Sequence, residues 1–374
     1  MHIKPKYIFI NEGSIDSFLT KQVIKAHPNC EVFTIKTNTR VFKKDYGLID
    51  ITPKEHFREK KGKVAVLKRR AQWRANPNGR STDFLPVNML TEGCGFGCSY
   101  CYTERKHPNN FPKLYDDSLE IVDMIRRVVG PEYKYYLEKF HTVCKKDFER
   151  NRDPFHPNAI TFDLGCNSDC VIDNQLTANE DYPGHIVDIM NQVGEIKGAM
   201  TSFATKSAEI DPFIKHCTNP KSNRIRLSIM PEHHRSRLEM GTSSIKDRLN
   251  AVNKLVDAGF EVHINLSPIC VTPNFEEEYN ELLSSIDNVL SPRAKGQMAY
   301  EIIFLTHSHT LYDVVEDYAP KAHAMMTQGP LPLVPKWNKP DVLSYGRKEK
   351  NYLKKMMTSM IEKHTPYSRI RYMF

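Results

Sequence analysis

Three cysteines, Cys94, Cys98 and Cys101, stand at C-x3-C-x2-C spacing in the stretch Thr91 to Tyr102. Gly95 and Gly97 lie between the first two, and Tyr100 and Tyr102 flank the third. Thiolates are soft ligands that select zinc or iron–sulfur clusters. Small residues between them let three sulfurs turn toward one centre without side-chain clashes. Structural zinc takes four ligands, commonly as two pairs; here the nearest fourth candidate is His107, and no second pair follows. Three cysteines in eight residues with interleaved glycine also make a poor core pattern. A four-iron cluster on this loop would have one iron open. That is a defect in a cluster that only carries electrons, which normally has four cysteines. It is a requirement in one that must bind a further molecule.

The chain of 374 residues is long enough for one large domain with additions. Hydrophobic residues at 40% and charged residues at 26% place it with soluble globular proteins rather than disordered chains. Nine cysteines, an odd number unevenly spread, with no amino-terminal apolar signal segment, predict reduced thiols in the cytoplasm rather than a disulfide framework. No apolar run approaches the roughly 20 residues that span a bilayer. The net charge of +8 suits a polyanionic partner.

Tyr7–Ile10 and Glu31–Lys36 read as strands around a helix from Ser14 to His27, a small α/β lead-in. The segment Lys54 to Arg80 is rich in Lys and Arg around Trp73. It is either a solvated surface or a phosphate-contacting edge with an aromatic for stacking. Phe84–Leu90 reads as the strand delivering the cysteine loop, and Ser118–Val129 as a helix. Residues 132–157 read as an irregular or helical excursion, in which Cys144 is an incidental thiol. From Ala159 the pattern becomes regular. Strands are expected at Ala159–Asp163, Ala199–Ala204, Arg224–Ile229, Phe260–Leu266 and Ala299–Leu305. Helices are expected at Pro183–Val193, Ser243–Ala258 and Phe275–Asn288. Such alternation predicts a parallel sheet with right-handed crossovers, with chemistry gathered at the carboxyl ends of the strands. Cys166, Lys206, Ser228 and Ser267 fall there. A helix at Tyr352–His364 and a strand at Arg369–Phe374 close the chain. The expected fold is α/β, a partial (β/α)6 barrel, with residues 1–82 as lead-in and basic segment, 83–320 as the barrel and 321–374 as a carboxyl-terminal extension.

The cysteine spacing resembles the signature of radical S-adenosylmethionine enzymes. The likeness sharpens along the chain. Cys94-Gly-Phe-Gly-Cys98-Ser-Tyr-Cys101-Tyr102 resembles the cluster loop of the spore photoproduct lyase family. Phe162-Asp-Leu-Gly-Cys166-Asn-Ser168-Asp169 is similar to that family's strand with Cys-x-Ser-Asp. Phe203-Ala-Thr-Lys206, Arg226-Leu-Ser228-Ile, Glu239-Met-Gly241-Thr242-Ser243, Leu266-Ser-Pro268-Ile269 and Tyr345-Gly346-Arg347 resemble further family segments in the same order.

The resemblance implies a radical S-adenosylmethionine barrel and a lyase that reverses a thymine–thymine photolesion in DNA. Its cofactors would be a [4Fe–4S] cluster on Cys94, Cys98 and Cys101 and S-adenosyl-L-methionine held by Ser168, Lys206 and Ser228. Cys166 would donate a hydrogen atom to the product radical, and Tyr100 and Tyr102 would return one to regenerate the cofactor. Tyr345 and Arg347 would lie at the DNA, and a reductant such as flavodoxin or ferredoxin would supply the electron. A thiol S–H bond is weak, so placement near the radical matters more than thiol acidity. On the residues alone, a small buried side chain is the lesser reading of Cys166, whereas for Lys206 a surface ion pair weighs equally. Cys170 reads as packing. The chain departs from the family in the 132–157 excursion, in His233-His234-Arg235-Ser236-Arg237, which enlarges the loop before Glu239, and in Lys348-Glu-Lys after Arg347. These departures surround the expected substrate mouth. Two other functions stay open: a radical enzyme that modifies or rearranges a pyrimidine in phage or bacterial nucleic acid, and a metal-stabilised nucleic-acid-binding protein.

Overall fold

The computed structural model describes residues 4–36, 62–69, 72–75, 84–87, 90–101, 111–130, 156, 159–308, 315–336 and 339–374. Tyr102, most of the Lys54–Arg80 segment and, but for His156, the excursion at 132–157 lie outside these residues.

The chain opens with β1 (Tyr7–Asn11), α1 (Phe18–Ala26), β2 (Glu31–Ile35) and β3 (Lys63–Leu67). Ser17 caps α1 by accepting from the Thr20 N–H, so the helix starts later than its composition suggests. Next come β4 (Leu85–Pro86), β5 (Thr91–Glu92), β6 (Lys113–Tyr115) and α2 (Ile121–Val129). Of the strand expected at Phe84–Leu90, the two-residue β4 is present, and the next strand, β5, follows it at Thr91–Glu92 in a different sheet. β4 pairs with β7 (Ile160–Asp163), whereas β5 pairs antiparallel with β6 in the amino-terminal sheet of order β2-β1-β3-β6-β5. The proline in β4 removes a ladder donor and suits an edge. The cysteine loop therefore starts at the seam of two sheets.

The regular part runs through α3 (Cys170–Gln175), α4 (His185–Gly194), β8 (Ala199–Thr205), α5 (Asp211–His216), β9 (Asn223–Ile229), α6 (Glu232–Leu238), α7 (Ile245–Asp257) and β10 (Glu261–Ile269). It continues with α8 (Phe275–Val289), α9 (Pro292–Gln297), β11 (Ala299–Phe304), β12 (Thr306–Ser308), α10 (Pro320–Thr327), β13 (Leu333–Lys336), β14 (Lys339–Tyr345), α11 (Arg347–His364) and β15 (Arg369–Met373). The main sheet has the order β15-β11-β10-β9-β8-β7-β4 and is parallel throughout. It curls as the expected partial barrel, and the final strand makes it seven-stranded rather than six. β12, β14 and β13 form a small antiparallel sheet.

The helices behave as their sequences dictate. Ser244 caps α7 by accepting from the Asp247 N–H at 3.1 Å and donates to the Asp247 carboxylate at 2.6 Å. Ile245, Leu249, Val252, Leu255 and Val256 give it one buried face. Gly259, at φ +95°, reverses the chain after it, a conformation that L side chains resist. Two short helices differ from expectation. α3 follows Cys166 directly, and α6 occupies the segment read as an enlarged loop. β9 is buried along its whole length, although Arg224 and Arg226 interrupt its apolar run. Trp73 is buried rather than presented for stacking, with the Arg69 guanidinium 3.8 Å from its ring centre, so this aromatic serves the core.

Candidate active site

The carboxyl ends of β7, β8, β9 and β10 and the cysteine loop enclose a cavity of about 490 Å³. Cys94, Cys98 and Cys101 line it together with Cys166, Ser168, Lys206, Ser228 and Tyr100. Residues separated by more than a hundred positions thus meet where the parallel sheet predicts. A second hollow, of about 620 Å³, lies at the amino-terminal ends of β9 and β10 against Glu261 and Lys221 and is lined by no cysteine.

The loop turns through Gly93 at φ +88° and Gly97 at φ +74°, values that only glycine adopts without strain. The Gly93 N–H donates to the Asn167 carbonyl at 3.1 Å and the Ser99 N–H to the Leu238 carbonyl at 2.9 Å. The loop is thereby fastened to the Cys166 turn on one side and to α6 on the other. The donor set fits a cuboidal iron–sulfur cluster: three thiols on one wall, a cavity in front, and no fourth cysteine in the loop. Asn265 also lines the cavity, and its buried Oδ1 has no hydrogen-bond partner among the described residues. Such an acceptor suits a bound molecule with an N–H or O–H to offer.

Cys166 sits on a tight turn after β7. A Cβ on Gly165 would come within 3.0 Å of the Cys170 sulfur and 3.3 Å of Phe203 Cβ, so the turn packs closely against the core. The Cys166 thiol donates to Asp163 Oδ2 at 3.2 Å. Arg226 donates to Asp163 Oδ1 at 2.7 Å and to Glu301 Oε2 at 3.2 Å. Glu301 also accepts from Tyr372 at 2.6 Å and Arg371 at 2.9 Å, so β15 completes the network from the edge of the sheet. Burial, then the Asp163 charge and its hydrogen bond, push the Cys166 thiol well above its ordinary range. It is held as neutral S–H. Burial acts against the Arg226 guanidinium, but Asp163 and Glu301 outweigh it, and Arg226 is held charged.

Glu239, in contact with the cavity residues Tyr100 and Lys206, is fully buried. It accepts from the Tyr100 hydroxyl and, at 2.7 Å, from Arg248. Lys206 Nζ lies 3.9 Å from Glu239 Oε1 and 5.8 Å from the Tyr100 ring centre. Burial opposes the Lys206 ammonium, yet Glu239 and its anionic neighbours outweigh it and its pKa lies above the ordinary value. Burial first, then Glu239, raises the Tyr100 phenol well above its ordinary range. Asp169 accepts from the Val171 N–H at 3.1 Å, Thr205 Oγ1 at 2.8 Å and the Lys206 N–H at 2.8 Å, which ties the start of α3 to the end of β8. Ser168 donates to Asp173 at 2.6 Å. Ser228 lines the cavity while its carbonyl accepts from Arg248 at 2.7 Å.

Tyr102 lies outside the described residues, and the other two expected site residues do not line this cavity. Tyr345 is buried, and its hydroxyl accepts from the Val271 N–H at 2.8 Å. Arg347, at the start of α11, is exposed. Asp163, Arg226, Glu239 and Asp169 lay within the motifs read from the sequence but carried no role there. Arg248 and Asn265 gave no signal beyond a polar residue inside an apolar pattern.

Comparison with known proteins agrees with this geometry. A family model described as spore photoproduct lyase matches residues 3–374. The chain belongs to the spore photoproduct lyase family. It is 23% identical over 283 residues to the spore photoproduct lyase of Bacillus subtilis (strain 168), covering 75% of this chain and 73% of that protein. It is 24% identical over 285 residues to that of Geobacillus sp. (strain Y412MC61), covering 76% and 74%. Among solved structures, spore photoproduct lyase complexed with dinucleoside spore photoproduct superposes with a TM-score of 0.78 at 20% identity, covering 100% of both chains. A double mutant of the lyase with bound AdoMet and dinucleoside spore photoproduct gives 0.77 at 20% identity over 99% of both. Membership in the spore photoproduct lyase family makes this chain a radical S-adenosylmethionine lyase of DNA repair, with a [4Fe–4S] cluster and S-adenosyl-L-methionine as cofactors.

Proposed function

We propose that this chain reverses a thymine–thymine photolesion in DNA, with Cys166 as hydrogen-atom donor. The observation that carries the reading is the Cys166 thiol on the same cavity as the three loop cysteines, Ser168, Lys206 and Ser228. Cys94, Cys98 and Cys101 would hold the cluster, and Ser168, Lys206 and Ser228 would hold S-adenosylmethionine. When bound, these groups supply a 5′-deoxyadenosyl radical that abstracts a hydrogen atom from the lesion. The residues of the chain orient, exclude water and deliver hydrogen. After the bond between the two bases breaks, Cys166 gives its hydrogen atom to the thymine carbon radical, forming a C–H bond and leaving a sulfur radical. Tyr100, with Tyr102, would relay a hydrogen atom back: the Cys166 sulfur radical takes one from a tyrosine O–H, and the tyrosyl radical takes one from the 5′-deoxyadenosine, so that S–H and O–H are both restored. Keeping Cys166 neutral matters here, because a thiolate has no hydrogen atom to give.

A damaged step leaves the base stack at lower cost than an intact one, and the exposed Arg347, two residues after the buried Tyr345, supports contact with the DNA backbone. A reducing partner such as flavodoxin or ferredoxin would supply the electron. None of the eight described cysteines is in a disulfide, which supports a reducing cytoplasmic setting. Among the described residues no helix is long and apolar enough to cross a membrane.

The test is anaerobic reconstitution with iron and sulfide, reduction, and incubation with dinucleoside spore photoproduct and S-adenosylmethionine. Conversion to the two unlinked thymines, with about four irons per chain that are lost in Cys98→Ala, is expected. A loaded enzyme that forms 5′-deoxyadenosine but leaves the lesion untouched would instead favour modification of another pyrimidine.

A further inference from the structure

We propose that His233, His234 and Glu278 form a second metal site, separate from the cysteine loop, that takes one divalent transition ion of the Zn²⁺ class. His233 and His234 open α6, and Glu278 lies in the first turn of α8. Nε2 of His233 stands 2.8 Å from Glu278 Oε1 and Nε2 of His234 stands 2.9 Å from Glu278 Oε2. The two rings meet edge to face with centroids 4.4 Å apart. Among the described residues this is the one group of three His, Cys, Asp or Glu side chains whose ligand atoms all lie within 4.8 Å of one another.

The donor set suits the ion. Two imidazoles and a carboxylate select Zn²⁺ and its first-row neighbours over calcium or magnesium. Zinc bonds nitrogen and oxygen at about 2.0–2.2 Å, so ligand atoms around a tetrahedral ion stand about 3.3–3.6 Å apart, and the two separations observed here would open by about half an ångström to admit it. His234 is fully buried with its side toward the Tyr279 ring. Its Nδ1 is buried without a hydrogen-bond partner among the described residues, and its Nε2 is directed at Glu278. Thr272 Oγ1 donates to Glu278 Oε2 at 2.5 Å and fixes the carboxylate, the kind of outer contact that ligating carboxylates keep. His233 is 44% exposed and provides the path by which an ion enters. Three protein ligands leave one position for water.

The position of the site gives it a purpose. None of the three residues lines the active cavity. α6, however, ends at Leu238, whose carbonyl receives the Ser99 N–H of the cysteine loop, and Glu239 follows at once. An ion shared between α6 and α8 pins the helix that buttresses the cluster loop, and metal binding then contributes directly to folding stability.

The probe is Co²⁺, then Zn²⁺, added to enzyme whose cysteine loop is already filled by reconstitution, with iron content followed throughout. Expected are one equivalent of Co²⁺ with ligand-field absorption bands, displacement by Zn²⁺, and a melting temperature raised by Zn²⁺. His233→Ala, at an exposed position that does not endanger folding, should weaken binding at least about tenfold, the scale on which even outer-sphere contacts act. Glu278→Gln should do the same, with iron content unchanged in both. Absence of a stoichiometric equivalent in the wild type would overturn the site and leave only histidine–carboxylate hydrogen bonds. Binding undiminished in both variants would place the ion elsewhere and overturn it equally.

Discussion

Cys166 and Asp163 stand three residues apart at the end of one strand, and the thiol of the first donates to Oδ2 of the second across 3.2 Å. The carboxylate cannot leave that contact easily, because its other oxygen is held by the buried Arg226 at 2.7 Å. The contact both aims the sulfur and keeps its proton in place.

A pH dependence follows from that contact. Burial and Asp163 raise the thiol well above its ordinary value of 9.0. The folded state therefore binds this proton more tightly than the unfolded chain does. The resulting stabilisation is fully present below pH 9.0 and is lost as pH rises through the folded value. The decline of stability above pH 9 should be shallower in Cys166→Ala than in the wild type. Alkylation of Cys166 should begin well above pH 9 in the wild type and at lower pH in Asp163→Asn, which lacks the adjacent negative charge. Mass spectrometry of iodoacetamide-treated protein against pH measures this, and coincident profiles would contradict it.

Donation by Cys166 makes a product prediction. Cys166→Ala should retain its iron and still form 5′-deoxyadenosine, because the cluster loop and the cofactor residues are untouched. The thymine radical would go unquenched and be trapped by buffer reductants or oxyanions. Clean repair should fall about a hundredfold, comparable to the effect of misplacing a reacting group by 1 Å. Cys170→Ala, in the buried first turn of α3, should lose some stability and keep the product pattern. Product analysis on dinucleoside spore photoproduct separates the two, and normal products from Cys166→Ala would remove the donor assignment.

The cavity's cysteines, Lys206 and Ser228 were legible because each stands in a short motif at the end of a strand whose apolar run is itself visible. The alternation from Ala159 onward gave the parallel sheet for the same reason. Less visible was what holds these residues. Glu239 stood in a recognisable segment, but its partner Arg248 lies on the buried side of α7, where the helical pattern reads as ordinary amphipathicity. β15 looked like a tail because nothing in Arg369–Met373 says which edge it will join. Its place beside β11 is set by long-range packing, with Tyr372 and Arg371 delivered to Glu301. The change of sheet between β4 and β5 was hidden for a similar reason, since two strands of two residues carry no periodicity.

Glu239 ties Tyr100, Lys206 and Arg248 together, which predicts a ranked stability effect. Glu239→Ala leaves the fully buried Arg248 without its carboxylate, and breaking a buried pair in this way costs about 3–5 kcal/mol. Glu239→Gln keeps an acceptor for Tyr100 or Arg248 and should cost less. Denaturant unfolding of the two variants checks the order. Tyr100→Phe should be milder still in stability, since it removes one donor and leaves the ion pair. If Glu239→Ala unfolds like the wild type, the network does not support the fold.

The Tyr345-Gly-Arg347 segment separates a structural residue from a DNA-contacting one. Tyr345 is 3% exposed and its hydroxyl receives the Val271 N–H at 2.8 Å, so its ring anchors β14 against the segment after β10. Tyr345→Phe leaves that buried N–H unsatisfied and should cost about 1–3 kcal/mol. Its DNA affinity, measured on folded protein, should follow the same dependence on salt as the wild type. Arg347 is exposed at the head of α11, where its removal disturbs little in the fold. A phosphate contact releases about one counterion, so Arg347→Ala should lower duplex affinity and reduce the slope of log K against log salt by about one unit. Fluorescence anisotropy over a range of salt concentrations gives both slopes. Equal slopes for Arg347→Ala and wild type would mean that the basic start of α11 faces something other than the DNA backbone.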